Sequence, residues 1–288
     1  LLIQIGGLGV MTLTSFFAMF FMGNTSIYNQ LVVRDMVSSN SLGSLLSTLL
    51  YILGFTLVIE GIGMVSIWFS IHDTLGMNLE EELAFAAFHS ISAFCNAGFD
   101  LMGFRQPFSS LTSYSVQVTV NLTIAALILI GGLGFLTWDD IKEHKLRLRK
   151  YRAQSKMILA TTAVLVILPF FYFWFCEYGE MGGKERFFAS LFQAVTPRTA
   201  GFNTTDLTEL SDTGKVVMII LMLIGGSPGS TAGGMKTTTI AVLVLSSAAV
   251  FSRREYAHCF GRRISYDVIR QAAAVFLMYI VLFLGGGM

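Results

Sequence analysis

Apolar residues in this chain come in long blocks separated by short polar connectors. Six blocks, at roughly residues 1 to 22, 45 to 70, 115 to 137, 157 to 176, 214 to 247 and 268 to 288, approach or exceed the roughly 20 residues a helix needs to cross hydrocarbon. Each is therefore expected to be a membrane span. Two shorter segments differ: LEEELAFAAFHSISAF (79 to 94) and GKERFFASLFQAVT (183 to 196) are one-sided, with apolar faces of only about 10 to 14 residues. They are too brief to cross and are expected to enter and leave the same side, as re-entrant helices.

Composition agrees with a membrane setting. With 54% hydrophobic and 13% charged residues, the chain has too little polar surface to cover a single water-soluble core. It is expected to be all-α, integral to the plasma membrane and multi-pass. The net charge of +1 hides a contrast between loops. Residues 138 to 156 carry seven Lys or Arg and residues 248 to 270 carry five Arg, whereas 71 to 114 carry five acids against one Arg and 177 to 213 six acids against three bases. The positive-inside rule puts the basic loops in the cytoplasm and both short segments on the outer side. Topology alone explains that basic charge, although a cytosolic partner or anionic lipid would also meet it there. Cys95, Cys176 and Cys259 are widely spaced and odd in number, which fits neither a disulfide framework nor a cysteine-rich metal site.

The chain repeats itself. IQIGGLGVMT (3 to 12), ILIGGLGFLT (128 to 137) and MLIGGSPGST (222 to 231) share Ile-Gly-Gly with another glycine close behind, and such a period organises the fold. Before the second and third copies stand SAFCNAGFD (92 to 100) and VTPRTAGFN (195 to 203). The repeating unit is thus helix, short re-entrant helix, Ala-Gly-Phe loop, helix. Residues 1–40 read as the end of a first unit, 41–150 as a second, 151–262 as a third and 263–288 as the start of a fourth. Leu1 and Met288 both lie inside apolar runs, so the sequence reads as a fragment of a four-unit chain. The units run parallel, as a pseudo-fourfold pore requires and an inverted-repeat carrier does not.

Non-helical backbone at membrane depth survives only when it is buried in protein or lines a watery cavity. Gly98 and Gly201 permit backbone conformations that other residues resist. The carbonyls of Asn96-Ala97-Gly98 and Thr199-Ala200-Gly201 are therefore expected to line an axis where they replace a cation's hydration shell. The short helices aim their negative C-terminal ends the same way, and Phe99 and Phe202 are expected to pack behind the loops. Singly the triplet would suit an ordinary turn. Its recurrence after a short helix and before Ile-Gly-Gly favours the pore.

SISAFCNAGFD (90 to 100), FQAVTPRTAGFN (192 to 203) and IGGSPGSTAGGMKTTT (224 to 239) resemble the Ktr/Trk/HKT superfamily of potassium transporters, most closely the Ktr-type membrane subunit, over essentially the whole chain. The resemblance implies four pore units around one K⁺ pathway, with one filter glycine per unit, here Gly98 and Gly201. It also implies a homodimer on a cytosolic ring of nucleotide-binding regulatory subunits, with no cofactor or nucleic-acid partner of the chain's own. K⁺ is the expected ion, with Na⁺ coupling or activation left open. A secondary cation or solute carrier with broken helices is the rival reading.

The segment Gly225-Gly226-Ser227-Pro228-Gly229-Ser230-Thr231-Ala232-Gly233-Gly234 interrupts the span 214 to 247 with a composition no straight helix favours. A phosphate-binding loop needs Lys directly after the last glycine, and Met235 stands between Gly234 and Lys236. An unwound stretch below the filter is expected instead, with Ser227, Ser230 and Thr231 bonding the freed backbone and little packing cost to its movement. The resemblance implies that this stretch gates the pore. Lys236 either holds it by charge or marks the cytoplasmic half of the helix. Glu60 lies well inside the second span, where a carboxylate is either functional or paired with a donor at a helix contact made close by Gly61 and Gly63. His89 is expected to pack rather than to relay protons. Neither a nucleophile motif nor metal-ligand spacing among His72, His89, His144 and His258 suggests an enzyme, and the sequons at Asn24, Asn121 and Asn203 read as chance.

Overall fold

The computed structural model describes residues 2–9, 45–72, 76–104, 109–145 and 147–287. Most of the segment 1–40, including Asn24, lies outside the described residues. The elements are α1 (Leu2–Gly7), α2 (Leu45–Ile71), α3 (Leu79–Phe94), α4 (Val118–Leu133), α5 (Phe135–His144), α6 (Ala153–Tyr172), α7 (Gly183–Val195), α8 (Asp212–Leu223), α9 (Thr237–Phe251) and α10 (Tyr266–Gly287). Strand content among these residues is slight: β1 (His258–Cys259) pairs antiparallel with β2 (Arg262–Arg263), and Ile224 bridges Met235.

Hydropathy alone separates the helices into two kinds. The stretch Leu50–Ile71 of α2, α6 with its π-type extension to Glu177, and α10 are each long and apolar enough to cross a membrane. The short helices behave differently. α3, of 16 residues, begins with a capping box in which the Glu81 N–H donates to Asn78 Oδ1 at 2.9 Å and the Asn78 N–H donates to Glu81 Oε2 at 3.1 Å. Its first turn carries Glu80, Glu81 and Glu82, where the helix dipole favours negative charge. α7 has 13 residues. At helical rise these lengths reach only about 20 to 24 Å, short of the roughly 30 Å of a hydrocarbon core.

Two predicted spans are not continuous. The block 115 to 137 breaks at Gly134, where α4 and α5 meet at 95°, and the block 214 to 247 divides into α8 and α9 around residues 224 to 236. Gly134 sits at φ 82°, in the left-handed region where a side chain is strained. The equivalent glycine of the first repeat, Gly9, has φ 85°. Apolar content gave no sign of the break at Gly134, whereas the glycine-rich composition of 225 to 234 marked the other.

α3 lies between α2 and α4, and α7 rests on α6 and α4. Phe85, Phe94, Ile67, Ile71, Ile124 and Ile128 form a core that Phe192, Val195, Ala200 and Phe202 of the next repeat complete. A smaller core of Phe173, Tyr178, Ala189, Leu210, Met218 and Leu221 joins α6, α7 and α8. Leu57, Val58, Ile62 and Phe69 on α2 stay exposed, as expected of side chains that face lipid. A Cβ at Gly63 would overlap Ser90 Oγ, whereas Gly61 faces open space. Of the two glycines beside Glu60, only Gly63 makes a close helix contact.

Candidate functional site

The two Ala-Gly-Phe loops fold alike. Asn96 and Gly98 have φ of 51° and 69°, and Thr199 and Gly201 have φ of 66° and 92°, so positions two apart are left-handed in both repeats. Left-handed backbone is uncommon for Asn and Thr, and each loop is held from behind. Ser92 Oγ donates to the Phe99 carbonyl at 2.7 Å, and Thr196 Oγ1 donates to the Phe202 carbonyl at 2.6 Å. A Cβ at Gly98 would overlap the Ala200 carbonyl oxygen, and one at Gly201 would lie 3.6 Å from Gly98 Cα. The loops therefore meet backbone to backbone at their glycines. Ala97, Gly98, Thr199 and Gly201 retain exposed surface there, while Asn96 and Ala200 are buried.

His89 ties both sides of its loop. Its Nε2 accepts from the Leu101 N–H at 3.3 Å, so Nδ1 must carry the proton that it donates to the Phe85 carbonyl at 2.8 Å. Both ring nitrogens are thus bonded to backbone groups of the loop and its helix. The aromatic expectation divides: Phe202 is fully buried and faces the His89 ring of the preceding repeat, but Phe99 is 62% exposed. Phe202 is covered because α3 stands before it, and no described residue stands in that relation to Phe99.

Beneath the loops lies the Gly-rich segment, and it is bonded on every side. Broken at Gly134, α4 leaves carbonyls without helical partners. Gly131 accepts from the Thr231 N–H at 3.2 Å, and Gly132 accepts from both the N–H and the hydroxyl of Ser227 at 3.0 Å. Beyond the break the Phe135 N–H donates to Gly229 at 3.0 Å. Ser230 Oγ donates to the Ser227 carbonyl at 2.6 Å and Thr231 Oγ1 to the Phe94 carbonyl at 2.7 Å. At its ends, Gly225 donates to Met235 and Thr237 to Gly226.

Gly225 and Gly226 of the segment, and Gly134 opposite it, are there for contact, whereas Gly229 and Gly233 face open space. A Cβ at Gly225 would overlap the Gly233 carbonyl oxygen, one at Gly226 would come within 2.5 Å of Ala232 Cβ, and one at Gly134 within 2.6 Å of the Pro228 carbonyl. The expectation that this stretch moves at little packing cost is corrected: moving it breaks a set of buried hydrogen bonds and backbone contacts. Lys236 Nζ donates to the Ala232 carbonyl at 2.9 Å. Its ammonium thus closes the segment locally, and it makes no ion pair among the described residues.

Sequence reasoning left Glu60 open between a functional carboxylate and one paired with a donor, and it passed over two further features. Glu60 is buried and accepts from Gln4 Nε2 at 2.6 Å, with Cys95 Sγ 3.8 Å away, while its own backbone carbonyl accepts from Ser90 Oγ at 2.6 Å. α1, α2 and α3 are joined there directly behind the first loop. Arg198 occupies the place in the second repeat that Cys95 occupies in the first, and it is buried with Nε unbonded. Finally, Glu177, Glu185, Asp206 and Glu209, with Asn203 and several hydroxyls, line a cavity of about 750 Å³ beside the second loop. Among the described residues no three His, Cys, Asp or Glu side chains converge on a metal site.

A family model described as TrkH, a cation transport protein, matches residues 1–287. The chain is 35% identical over 282 residues to the potassium/sodium uptake protein NtpJ of Enterococcus hirae, covering 96% of this chain and 61% of that protein. It is 31% identical to the Ktr system potassium uptake protein B of Vibrio alginolyticus, over 96% of this chain and 61% of that protein. The chain thus spans about three-fifths of the length of these curated relatives. Its fold matches the crystal structure of the potassium transporter TrkH from Vibrio parahaemolyticus with a TM-score of 0.73 at 20% identity, over 98% of this chain and 56% of that one. With bent and re-entrant helices, paired loops and a family match over nearly every residue, this multi-pass membrane chain, not an enzyme, belongs to the TrkH family of cation transport proteins.

Proposed function

We propose that the chain supplies two pore units, 41–150 and 151–262, of a K⁺ uptake pathway in the plasma membrane. The observation that carries this reading is the meeting of two identically folded Ala-Gly-Phe loops at Gly98 and Gly201. Carbonyl oxygens of Asn96, Ala97, Gly98, Thr199, Ala200 and Gly201 replace the hydration shell of K⁺. The end of the molecule carrying these loops faces outward and the basic loops face the cytoplasm. The acidic cavity beside the second loop raises the local cation concentration before entry. Net inward flux follows the membrane potential, and Na⁺ acts as a second, activating ion. Segment 225–234 with Lys236 forms the gate, and its bonds to α4 hold the closed position. A homodimer on a cytosolic nucleotide-binding ring completes the assembly, a reading supported by the relative from Vibrio alginolyticus being named as one protein of a Ktr system. A broken-helix carrier would be built from inverted repeats, whereas both units here run in the same direction.

The test is growth of a bacterial strain lacking its own K⁺ uptake, expressing the natural reading frame that contains this chain. Wild type is expected to restore growth at limiting K⁺. Gly201→Ser, which places a side chain at φ 92° in the loop, is expected to need about tenfold more K⁺ and to admit Na⁺, the loss equivalent to about 1.4 kcal/mol of discrimination. Rescue that the serine variant leaves untouched would remove the filter reading.

A further inference from the structure

The Gly-rich segment and the first loop touch at one side chain. Thr231 is 9% exposed, and its hydroxyl is used twice: it donates to the Phe94 carbonyl at 2.7 Å and accepts from Asn96 Nδ2 at 3.0 Å. Phe94 is the last residue of α3 and Asn96 the first left-handed residue of the loop. Two other acceptors lie near the Asn96 amide, the carbonyls of Phe94 at 3.4 Å and Ile128 at 3.5 Å. Both are at the edge of hydrogen-bond range, so Thr231 supplies the best bond that amide has. Packing closes the same point, because a Cβ at Gly131 would overlap the Phe94 carbonyl oxygen and lie 2.7 Å from Thr231 Oγ1. The second loop is tied as well, through the Gly233 N–H donating to Thr199 Oγ1 at 3.2 Å.

We propose that Thr231 is a positioning residue: through its hydroxyl it holds the Asn96–Gly98 loop in its ion-selecting shape and so couples the Gly-rich segment to ion preference. This rests on reading the two loops as the filter. Asn96 is a non-glycine residue at positive φ, a conformation that persists only where its surroundings impose it. Ser92 and the end of α3 hold the loop from behind, and the remaining support, Thr231, sits on the very segment proposed to move. When that segment shifts, the bonds to Phe94 and Asn96 break together, and the loop loses its support from below. Opening the lower segment and loosening the upper loop are then one event.

The experiment compares Thr231→Val, Thr231→Ala and Thr231→Ser with wild type in the strain lacking K⁺ uptake, reading the ratio of K⁺ to Na⁺ uptake. A ratio does not depend on how much protein reaches the membrane. Valine keeps the shape of threonine without donor or acceptor, alanine removes the group altogether, and serine keeps the hydroxyl. The valine and alanine variants are expected to lower the ratio about tenfold, the scale of one buried hydrogen bond lost, and serine to retain the wild-type ratio. A shifted ratio in serine with a wild-type ratio in valine would assign the effect to the methyl group and overturn the proposal, as would equal shifts for valine and serine, since the retained hydroxyl would then protect nothing. So would a wild-type ratio in the valine and alanine variants while Gly201→Ser shifts it. If Gly201→Ser also leaves the ratio unchanged, the filter reading itself falls and takes the coupling with it.

Discussion

Neighbouring glycines in this chain do different work, and substitution can separate them. Gly131 has the Phe94 carbonyl where a Cβ would go, whereas Gly132 has nothing within 4 Å. Gly131→Ala is expected to lower stability by about 1–3 kcal/mol, the usual cost of overpacking, while Gly132→Ala stays neutral or gains slightly from helix propensity. Gly225 and Gly233 form a second such pair, the first closed by a carbonyl and the second open. Melting midpoints of purified protein in detergent decide both comparisons, and equal shifts within a pair would contradict the packing described. Glu60 offers a different contrast. Gln at this position keeps an acceptor for Gln4 Nε2, and Ala leaves that amide without its partner beside the first loop. Glu60→Ala is expected to cost about 2–3 kcal/mol and Glu60→Gln under about 1, since an orphaned buried donor costs more than a neutral exchange.

Among the elements, the broken helices matter most. α4 stops at Leu133 because Gly134 turns left-handed and because the Gly-rich segment offers donors to Gly131 and Gly132 and an acceptor to Phe135. A helix end at membrane depth leaves polar backbone exposed unless protein satisfies it. Here another repeat does so. The reason α3 starts where it does is local: Asn78 and Glu81 cap each other. Asn78→Ala is expected to cost about 1 kcal/mol, visible as a lower melting midpoint with the K⁺ to Na⁺ uptake ratio unchanged. A changed ratio would mean that the outer end of α3 also sets the loop at its inner end. The repeats are alike in backbone yet unlike in side chains, with Cys95 facing Glu60 in one and Arg198 buried in the other.

For the molecule as a whole, the two units share one core, since Phe192, Val195, Ala200 and Phe202 complete the packing around α3 and α4. The loops are thus fixed relative to each other by hydrophobic contacts as well as by the Gly-rich segment, and substitutions in that core are expected to disturb both loops together. Much of this architecture was legible in the chain itself. Block hydropathy is a one-dimensional property, so three of the six expected spans, in α2, α6 and α10, followed from length and composition alone. The Ala-Gly-Phe and Ile-Gly-Gly recurrences likewise marked segments that come together, because a repeat places equivalent residues at equivalent depth. What hydropathy could not register was any event that leaves composition unchanged: the 95° turn at Gly134, the exposure of Phe99 against the burial of Phe202, and the tight bonding of a segment whose glycines suggested looseness. Each of these depends on a partner 90 or more residues away or on the neighbouring repeat. Thr231 meeting Asn96 across 135 residues is the clearest case. The sequence by itself determined which segments are long and apolar enough to cross a membrane and which motifs recur, since those are set by local composition. Only the tertiary structure decided which carbonyl each hydroxyl reaches and which glycine is closed to a side chain, since those depend on how distant backbones approach.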